Sequence, residues 1–388
     1  MIRSEKKIFE IVFDIEKNIS KTNYKGYDPY DGLNSTLFQY LPLVNKNKFF
    51  KIAWTQFFKL SKFNFRSLFL INKGVNPKGM GLILSSYVNL FKLTKDEDWL
   101  LKGTKIANWL DLNSSKYSSH KCWGYNFDWQ SRAFYVPKGT PSVVNTSFIC
   151  HAFMDLYEID KDLRWLEIVS SSISFILNDL QRYESNDEAC FSYTPIDNLK
   201  IDNANLLGAS VLARYMKIES SDKFEQILFK TVNFSINNQN EDGSWYYAKT
   251  SYQKWVDSFH TAFNLFSLQH VNSYRHSEKV FDAINKGEVF YYSNFFTGEG
   301  LVKYYHNSLY PQDIHCYASI LMYSKYSSKE NDYEKNISWA LDNMYLDSGK
   351  FKFRKNKFTK LLDNNISYLR WCNSWMFIGL TNYLVSKK

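Results

Sequence analysis

The chain has 388 residues, 45% of them hydrophobic and 18% aromatic, with 48 Lys and Arg against 39 Asp and Glu for a formal net charge of +9. So much apolar material excludes a disordered chain. The basic residues form no dense Arg/Lys cluster and no nucleic-acid motif, which excludes ordinary nucleic-acid recognition and leaves an acidic glycan or an anionic membrane surface as partners the charge suits.

The first residues, Met-Ile-Arg-Ser-Glu-Lys-Lys, lack the apolar run of a signal peptide, and no later stretch is apolar for long enough to span a bilayer. Cys122, Cys150, Cys190, Cys316 and Cys372 are far apart and form no CxxC pair, which argues against a disulfide framework and a zinc site. The expectation is a cytoplasmic protein without metal or cofactor. Residues 1–75 are expected to supply an N-terminal helical extension and the first outer helices of a single domain spanning 1–388. Within them, Asn47 to Ile71 alternates Phe, Trp, Leu and Ile with Lys51, Lys59, Lys62 and Arg66. Such a basic amphipathic stretch is either a helix with a lysine-rich outer face or a peripheral membrane contact.

From residue 76 onward a pattern repeats about every 60 residues, in which a polar cluster runs straight into an apolar stretch. The six starts are Asn76-Pro-Lys78-Gly79, Pro141 to Thr146, Asp202-Asn203-Ala-Asn205, Asp257 to Thr261, Pro311 to His315 and Arg370 to Trp375. The stretches they open (Val144–Tyr157, Leu206–Tyr215, Phe259–Leu268, Tyr317–Tyr323 and Trp375–Leu384 among them) carry few charges on any side, as buried helices do. Between them, Asp96–Leu112, Leu163–Leu180, Phe224–Ile236, His276–Phe290 and Tyr333–Met344 keep their charges on one face and predict an outer ring. Alternating outer and inner helices imply an all-α (α/α)6 toroid with few short strands. The loops Cys122–Pro141, Cys190–Asn203 and Gln239–Asp257 are long and aromatic, where binding usually sits.

The helix starts need hydrogen-bond acceptors, so Asn145, Asp202, Asp257 and Asp313 are expected as caps. Two starts hold more than capping requires. Asp257-x-x-His260 and Asp313-x-His315 pair a carboxylate with an imidazole, a combination that sets a His tautomer for proton transfer. These four are the candidate catalytic residues. Glycoside cleavage needs two carboxylates flanking the scissile bond, and Asp128, Asp202, Glu241, Asp242, Asp257 and Asp313 are those on loops and starts. Lys78, Arg132 and Arg370 are the inward cations expected to meet a uronate carboxylate or a phosphate, Arg370 serving equally well as an inter-helix salt bridge. Trp123, Tyr125, Asp128, Trp129, Asn145, Tyr193, Asn203, Trp245 and Trp371 complete the expected substrate contacts. Gln239 to Trp245 matches QxxxGxW once, with no DxDD motif beside it, and reads as a turn with Trp245 packed over Gly243.

The run Gly26-Tyr-Asp28-Pro-Tyr30-Asp31-Gly-Leu-Asn34-Ser35, followed by Asn76-Pro-Lys-Gly79, Trp123-Gly-Tyr-Asn-Phe-Asp128-Trp-Gln, Asp257-Ser-Phe-His-Thr261 and Asp313-Ile-His315, resembles a six-hairpin toroid family from surface-polysaccharide biosynthesis clusters. Its members have carried a delta-aminolevulinic acid dehydratase label, but this chain has neither that enzyme's cysteine cluster nor a TIM-barrel alternation. Tyr368-Leu-Arg370-Trp371-x-Asn373-x-Trp375 is similar, more distantly, to the last part of unsaturated glucuronyl hydrolases and to glucuronyl C5-epimerases. The first resemblance implies a toroid in a glycan context and the second a uronic-acid polymer as substrate; with the basic charge, the expected substrate is an anionic, uronate-containing polysaccharide or lipid-linked glycan.

Three functions remain open on these grounds. One is acid–base glycosidic cleavage by Asp257 and Asp313 with a His assisting. The second is C5 proton abstraction from a uronate, giving epimerisation or elimination, with His260, His315 or Tyr193 as base or acid and Arg132 or Arg370 holding the carboxylate. The third is non-catalytic glycan binding. The last three helix starts concentrate the His, carboxylate and Arg groups, so the site is expected on their side of the mouth.

Overall fold

In a computed structural model, residues 5–41, 45–131, 134–326, 333–357 and 363–388 are described; Arg132 lies outside them. In chain order the helices are α1 (Glu5–Lys21), α2 (Thr36–Gln39), α3 (Lys48–Leu60), α4 (Pro77–Thr94), α5 (Glu97–Leu112), α6 (Val143–Asp160), α7 (Leu163–Asn178), α8 (Asp202–Glu219), α9 (Glu225–Asn237), α10 (Ser258–Tyr274), α11 (Glu278–Phe295), α12 (Ile314–Tyr323), α13 (Tyr333–Met344) and α14 (Trp375–Ser386). Each of α4, α6, α8, α10, α12 and α14 packs on the next, and α14 packs back on α4, which closes the ring. Helices α5, α7, α9, α11 and α13 back this ring from outside, and α1 takes the sixth outer place against α14. The fold is an (α/α)6 toroid, all-α apart from short two-stranded antiparallel ladders.

The division between rings follows from side-chain chemistry. On α6, the thirteen residues that are buried include every one from Val143 to Met154. On α7 burial is confined to one stripe through Trp165, Ile168, Val169, Ile173 and Ile176. A helix with no polar face has nowhere to go but between other helices. The outer helix α1 is tied in by polar contacts as well: Lys102 Nζ donates to Glu16 Oε1 at 2.8 Å, linking α5 to α1.

The two ends of the toroid are built differently. At one end, inner helices α4, α6 and α8 stop on left-handed residues Lys95, Lys161 and Ser220 and turn at once into the outer helix. At the other end, where inner helices begin, the outer-to-inner connections run to 18 residues or more, as from 113 to 142. Function therefore has room at one mouth only. No helix among the described residues is long and apolar enough to cross a membrane.

Several expected local features are relocated. The cap of α6 is Ser142, whose hydroxyl accepts from the Asn145 N–H at 3.1 Å; Asn145 sits one turn in, with both side-chain polar atoms buried and lacking protein partners. Asp202 does not cap α8 and instead accepts from Asn238 Nδ2 at 3.0 Å. In the stretch from Asn47 to Ile71 the helix ends at Leu60. Ser61 is extended there and its hydroxyl bridges to the Phe63 backbone, so the rest runs as loop and turns. Gly243 does make the expected turn: its φ is +88°, and any Cβ would strike the Lys286 carbonyl at 2.3 Å. Trp245 is pinned there, Nε1 donating to the Ser235 carbonyl at 2.9 Å.

Asp202 offers a stability test. Burial pushes its carboxyl from 3.8 up to about 7, against the opposing bonds from Asn238 and Ser235. Between about pH 4 and 7 the native state holds a proton that the unfolded chain has lost, so stability falls as pH rises through that window. Asp202→Asn is expected to flatten this fall in a plot of melting temperature against pH. An unchanged curve would show that no buried charge develops there.

Candidate active site

The long connections enclose a cleft of about 600 Å³ over the starts of the inner helices. Helix α3 forms one wall; Tyr125, Trp129, Tyr193, Tyr247, Trp255, Tyr304 and Trp371 supply much of the rest. Of the sequence-derived candidates, Lys78, Tyr125, Trp129, Tyr193, Asn203, Asp257, His260, His315, Arg370 and Trp371 line it.

Asp257 is the only carboxylate among the described lining residues, and it is fully committed. Its Oδ1 accepts from the His260 N–H at 3.0 Å, which caps α10. Its Oδ2 accepts from His260 Nδ1 at 2.7 Å and from Trp255 Nε1 at 3.0 Å. The carboxylate is 1% exposed while the imidazole is 23% exposed. Asp257 therefore orients His260 and leaves Nε2 as the nitrogen turned to the cleft, the arrangement a general base needs. The Tyr247 ring, stacked on Trp255 at 4.7 Å, lies 4.7 Å from the imidazole, tilted 45° to it.

Asp313 and His315 do not form the same pair. Asp313 Oδ1 accepts from the His315 N–H and from Trp371 Nε1 at 2.9 Å, and Oδ2 accepts from Arg354 Nε at 2.8 Å. This carboxylate is wholly buried and pins Trp371 and Arg354 from behind. The His315 ring stacks on Trp371 at 4.3 Å, and its Nδ1 has no hydrogen-bond partner among the described residues. Burial, aided by Lys78 and Arg370, drives the His315 pKa well below the usual range, so the ring is neutral.

Two cations form the floor. Lys78 is 4% exposed and has no carboxylate partner among the described residues. Its ammonium sits 4.3 Å from the Phe148 ring and 5.3 Å from Trp375. Burial first, and then Arg370, lower its pKa well below the ordinary lysine value. Arg370 is clamped by Asp28, Nε to Oδ2 at 2.6 Å and Nη2 to Oδ1 at 2.9 Å. The clamp is itself braced: the Arg66 Nη2 donates to the Asp28 carbonyl, and Arg66 Nε to Asp31 Oδ1 at 2.7 Å. Arg370 is thus both a buried salt bridge and a cleft residue. Arg354 and Lys59 complete the basic lining.

Tyr125 and Tyr193 both line the cleft and lie close enough to influence each other, and burial raises both phenols, which keeps them as O–H groups. The Asn203 Oδ1 is buried without a protein partner and lines the cleft, an acceptor ready for a ligand hydroxyl. No three His, Cys, Asp or Glu side chains among the described residues converge as metal ligands.

Four expected contacts lie elsewhere. Trp123 is core, Nε1 donating to the Leu110 carbonyl and the ring packing on Phe153. Trp245 is core for the reason given above. Asp128 braces its own loop by accepting from the Lys138 N–H at 2.7 Å. Asn145 is below the floor. In each of the two tryptophans a helix carbonyl supplies the partner that a buried indole N–H requires. The residues that sequence reading did not assign are Asp28, Tyr30, Tyr247, Trp255, Tyr304 and Arg354. Asp28 and Tyr30 stood in the quoted Gly26-to-Ser35 run, and Tyr247 in an aromatic loop. Arg354 carried no signal, since a ladder to residues 312–313 brings it in.

The sequence matches no family model and no curated protein. Solved structures match over most of the chain. A cellobiose 2-epimerase from Bacillus thermoamylovorans aligns with TM-score 0.63 at 8% identity, over 81% of this chain and 88% of its own. A polysaccharide lyase aligns with TM-score 0.60 at 8% identity, over 99% and 97%. A glycosyl hydrolase of family 88 from Bacteroides vulgatus aligns with TM-score 0.59 at 10% identity, over 99% of both chains. At these identities the likeness is one of fold, the six-hairpin glycosidase-like toroid.

Proposed function

We propose that the protein is a carbohydrate-active enzyme that moves a proton on an anionic, uronate-containing glycan, acting as a uronyl epimerase or lyase. One observation carries this reading: an imidazole oriented by a buried carboxylate faces a cleft lined by four basic side chains, Lys59, Lys78, Arg354 and Arg370, with no other carboxylate among the described lining residues. A hydrolase of the two-carboxylate type needs an acid and a base or nucleophile free to reach the scissile bond. Asp257 and Asp313 instead spend their oxygens on neighbouring side chains and helix N–H groups.

The chemistry follows from the groups present. The hydrogen at C5 of a uronate is acidified by its carboxylate, more so when that carboxylate is neutralised by cations. Lys78 and Arg370 would bind it, and His260 would take the C5 proton. A phenol of the Tyr125–Tyr193 pair would return a proton to the opposite face of C5, which epimerises it. Delivered instead to the oxygen on C4 as that bond breaks, the proton completes elimination. The flat faces of Trp129 and Trp371 suit sugar rings. A lyase and an epimerase among the structural neighbours support the reading, and the quoted family resemblance supports a role in surface-polysaccharide metabolism.

The test is incubation with uronate oligosaccharides in deuterated water. Deuterium at C5 or a new absorbance near the ultraviolet edge is the expected result. New reducing ends alone would make it a hydrolase, and no change would leave glycan binding.

A further inference from the structure

We propose that the surface formed by α3 and the turns after it docks on an anionic lipid bilayer. This rests on different residues from the catalytic reading. Among the described residues, ten of the twenty-two exposed large hydrophobic side chains fall between residues 37 and 70. Tyr40, Phe49, Leu60, Phe63 and Leu68 are each more than 60% exposed. Apolar groups of this size rarely cluster on a surface without a partner.

The charge around them names the partner. Between Asp31 and Asp96 the chain has ten Lys and Arg and no Asp or Glu, although acidic residues make up 39 of the 388. Two of the ten, Arg66 and Lys78, are buried, whereas Lys46, Lys48, Lys62 and Lys73 are exposed beside the apolar groups. Aromatic and aliphatic side chains interleaved with uncompensated lysines fit a headgroup region with negative charge. A second protein copy carrying the same patch would set lysine against lysine, and a free glycan would not call for isolated Phe and Leu.

The patch adjoins the cleft. Ile52, Gln56, Lys59 and Leu60 of the same helix line it, and Leu60 belongs to both surfaces. Docking would bring the cleft beside the bilayer, where a glycan still joined to a lipid carrier would be presented.

Flotation of the whole protein with vesicles tests this. Binding is expected to phosphatidylcholine–phosphatidylglycerol vesicles but not to phosphatidylcholine alone, weakening at least five-fold between 50 and 500 mM salt. Phe49→Ser/Phe63→Ser/Leu68→Ser should lower it ten-fold or more, with folding checked by melting temperature. Lys48→Gln/Lys62→Gln, which leaves the apolar groups in place, should lower it and remove most of the salt dependence. Wild-type protein that stays out of the anionic vesicle fraction, or both variants floating like wild type, would overturn the proposal. So would a solution dimer split by the triple substitution, since the patch would then join two copies.

Discussion

His260→Ala is expected to lower kcat/KM about 10²- to 10⁴-fold, the usual contribution of a positioned acid or base, with little change in melting temperature. The imidazole is part-exposed and its removal opens no core cavity. Asp257→Asn isolates the orienting role. Asn caps a helix as well as Asp does, so α10 keeps its start. An amide can no longer accept from both His260 Nδ1 and Trp255 Nε1, which share Oδ2. The imidazole then loses its fixed tautomer, and activity should fall about 10²-fold or more, for about 1–2 kcal/mol of stability. Full turnover in Asp257→Asn would remove the dyad from the mechanism.

Lys78→Met is expected to act in opposite directions on stability and activity. Burial lowers the Lys78 pKa, so below the ordinary lysine value the unfolded chain binds more protons than the native state. Stability contributed by this residue therefore rises with pH towards about 10.5 and is lower at neutral pH than near pH 10. A methionine of similar length keeps the packing against Phe148 and Trp375 and removes the desolvation cost, about 1–3 kcal/mol, with the cation–π attraction partly offsetting it. At pH 7 the variant should melt higher than wild type, and the gap should narrow as pH approaches 10. Activity on a uronate substrate should drop about 10²-fold through loss of a charge at the carboxylate. A variant that melts lower, or that turns over normally, would contradict the assignment of Lys78 as a substrate cation held at the expense of stability.

The periodicity of the chain was enough for the fold because burial is a property of a helix's whole circumference. Thus α6 could be read as inner and α7 as outer from their residues alone, and the outer span read to Met344 ends where α13 ends. The site was legible only in part, and the two His motifs show why. In Asp257-x-x-His260 the cap residue and the third helical residue lie on one side of the turn, so the side chains meet. In Asp313-x-His315 the spacing is two, and residues so spaced do not face each other on a helix. Asp313 turned to Arg354 and Trp371 instead.

The large aromatics divide on similar grounds. Trp123 and Trp245 are absorbed by helix carbonyls, whereas Trp371 has its N–H taken by Asp313 and keeps a ring at the cleft. Nothing in the local residues separates these cases, because each depends on a partner distant in sequence.

The sequence by itself determined the toroid, the mouth at which the loops gather, and Asp257 with His260, Lys78 and Arg370 as residues of that mouth. These depend on local pattern: apolar circumference, capping chemistry and i,i+3 spacing. The tertiary structure alone decided which groups keep a free valence. Asp28 reaches Arg370 across 342 residues and Arg354 reaches Asp313 across 41. Those long-range pairings take the carboxylates out of the cleft and leave it to His260, the phenols and the cations.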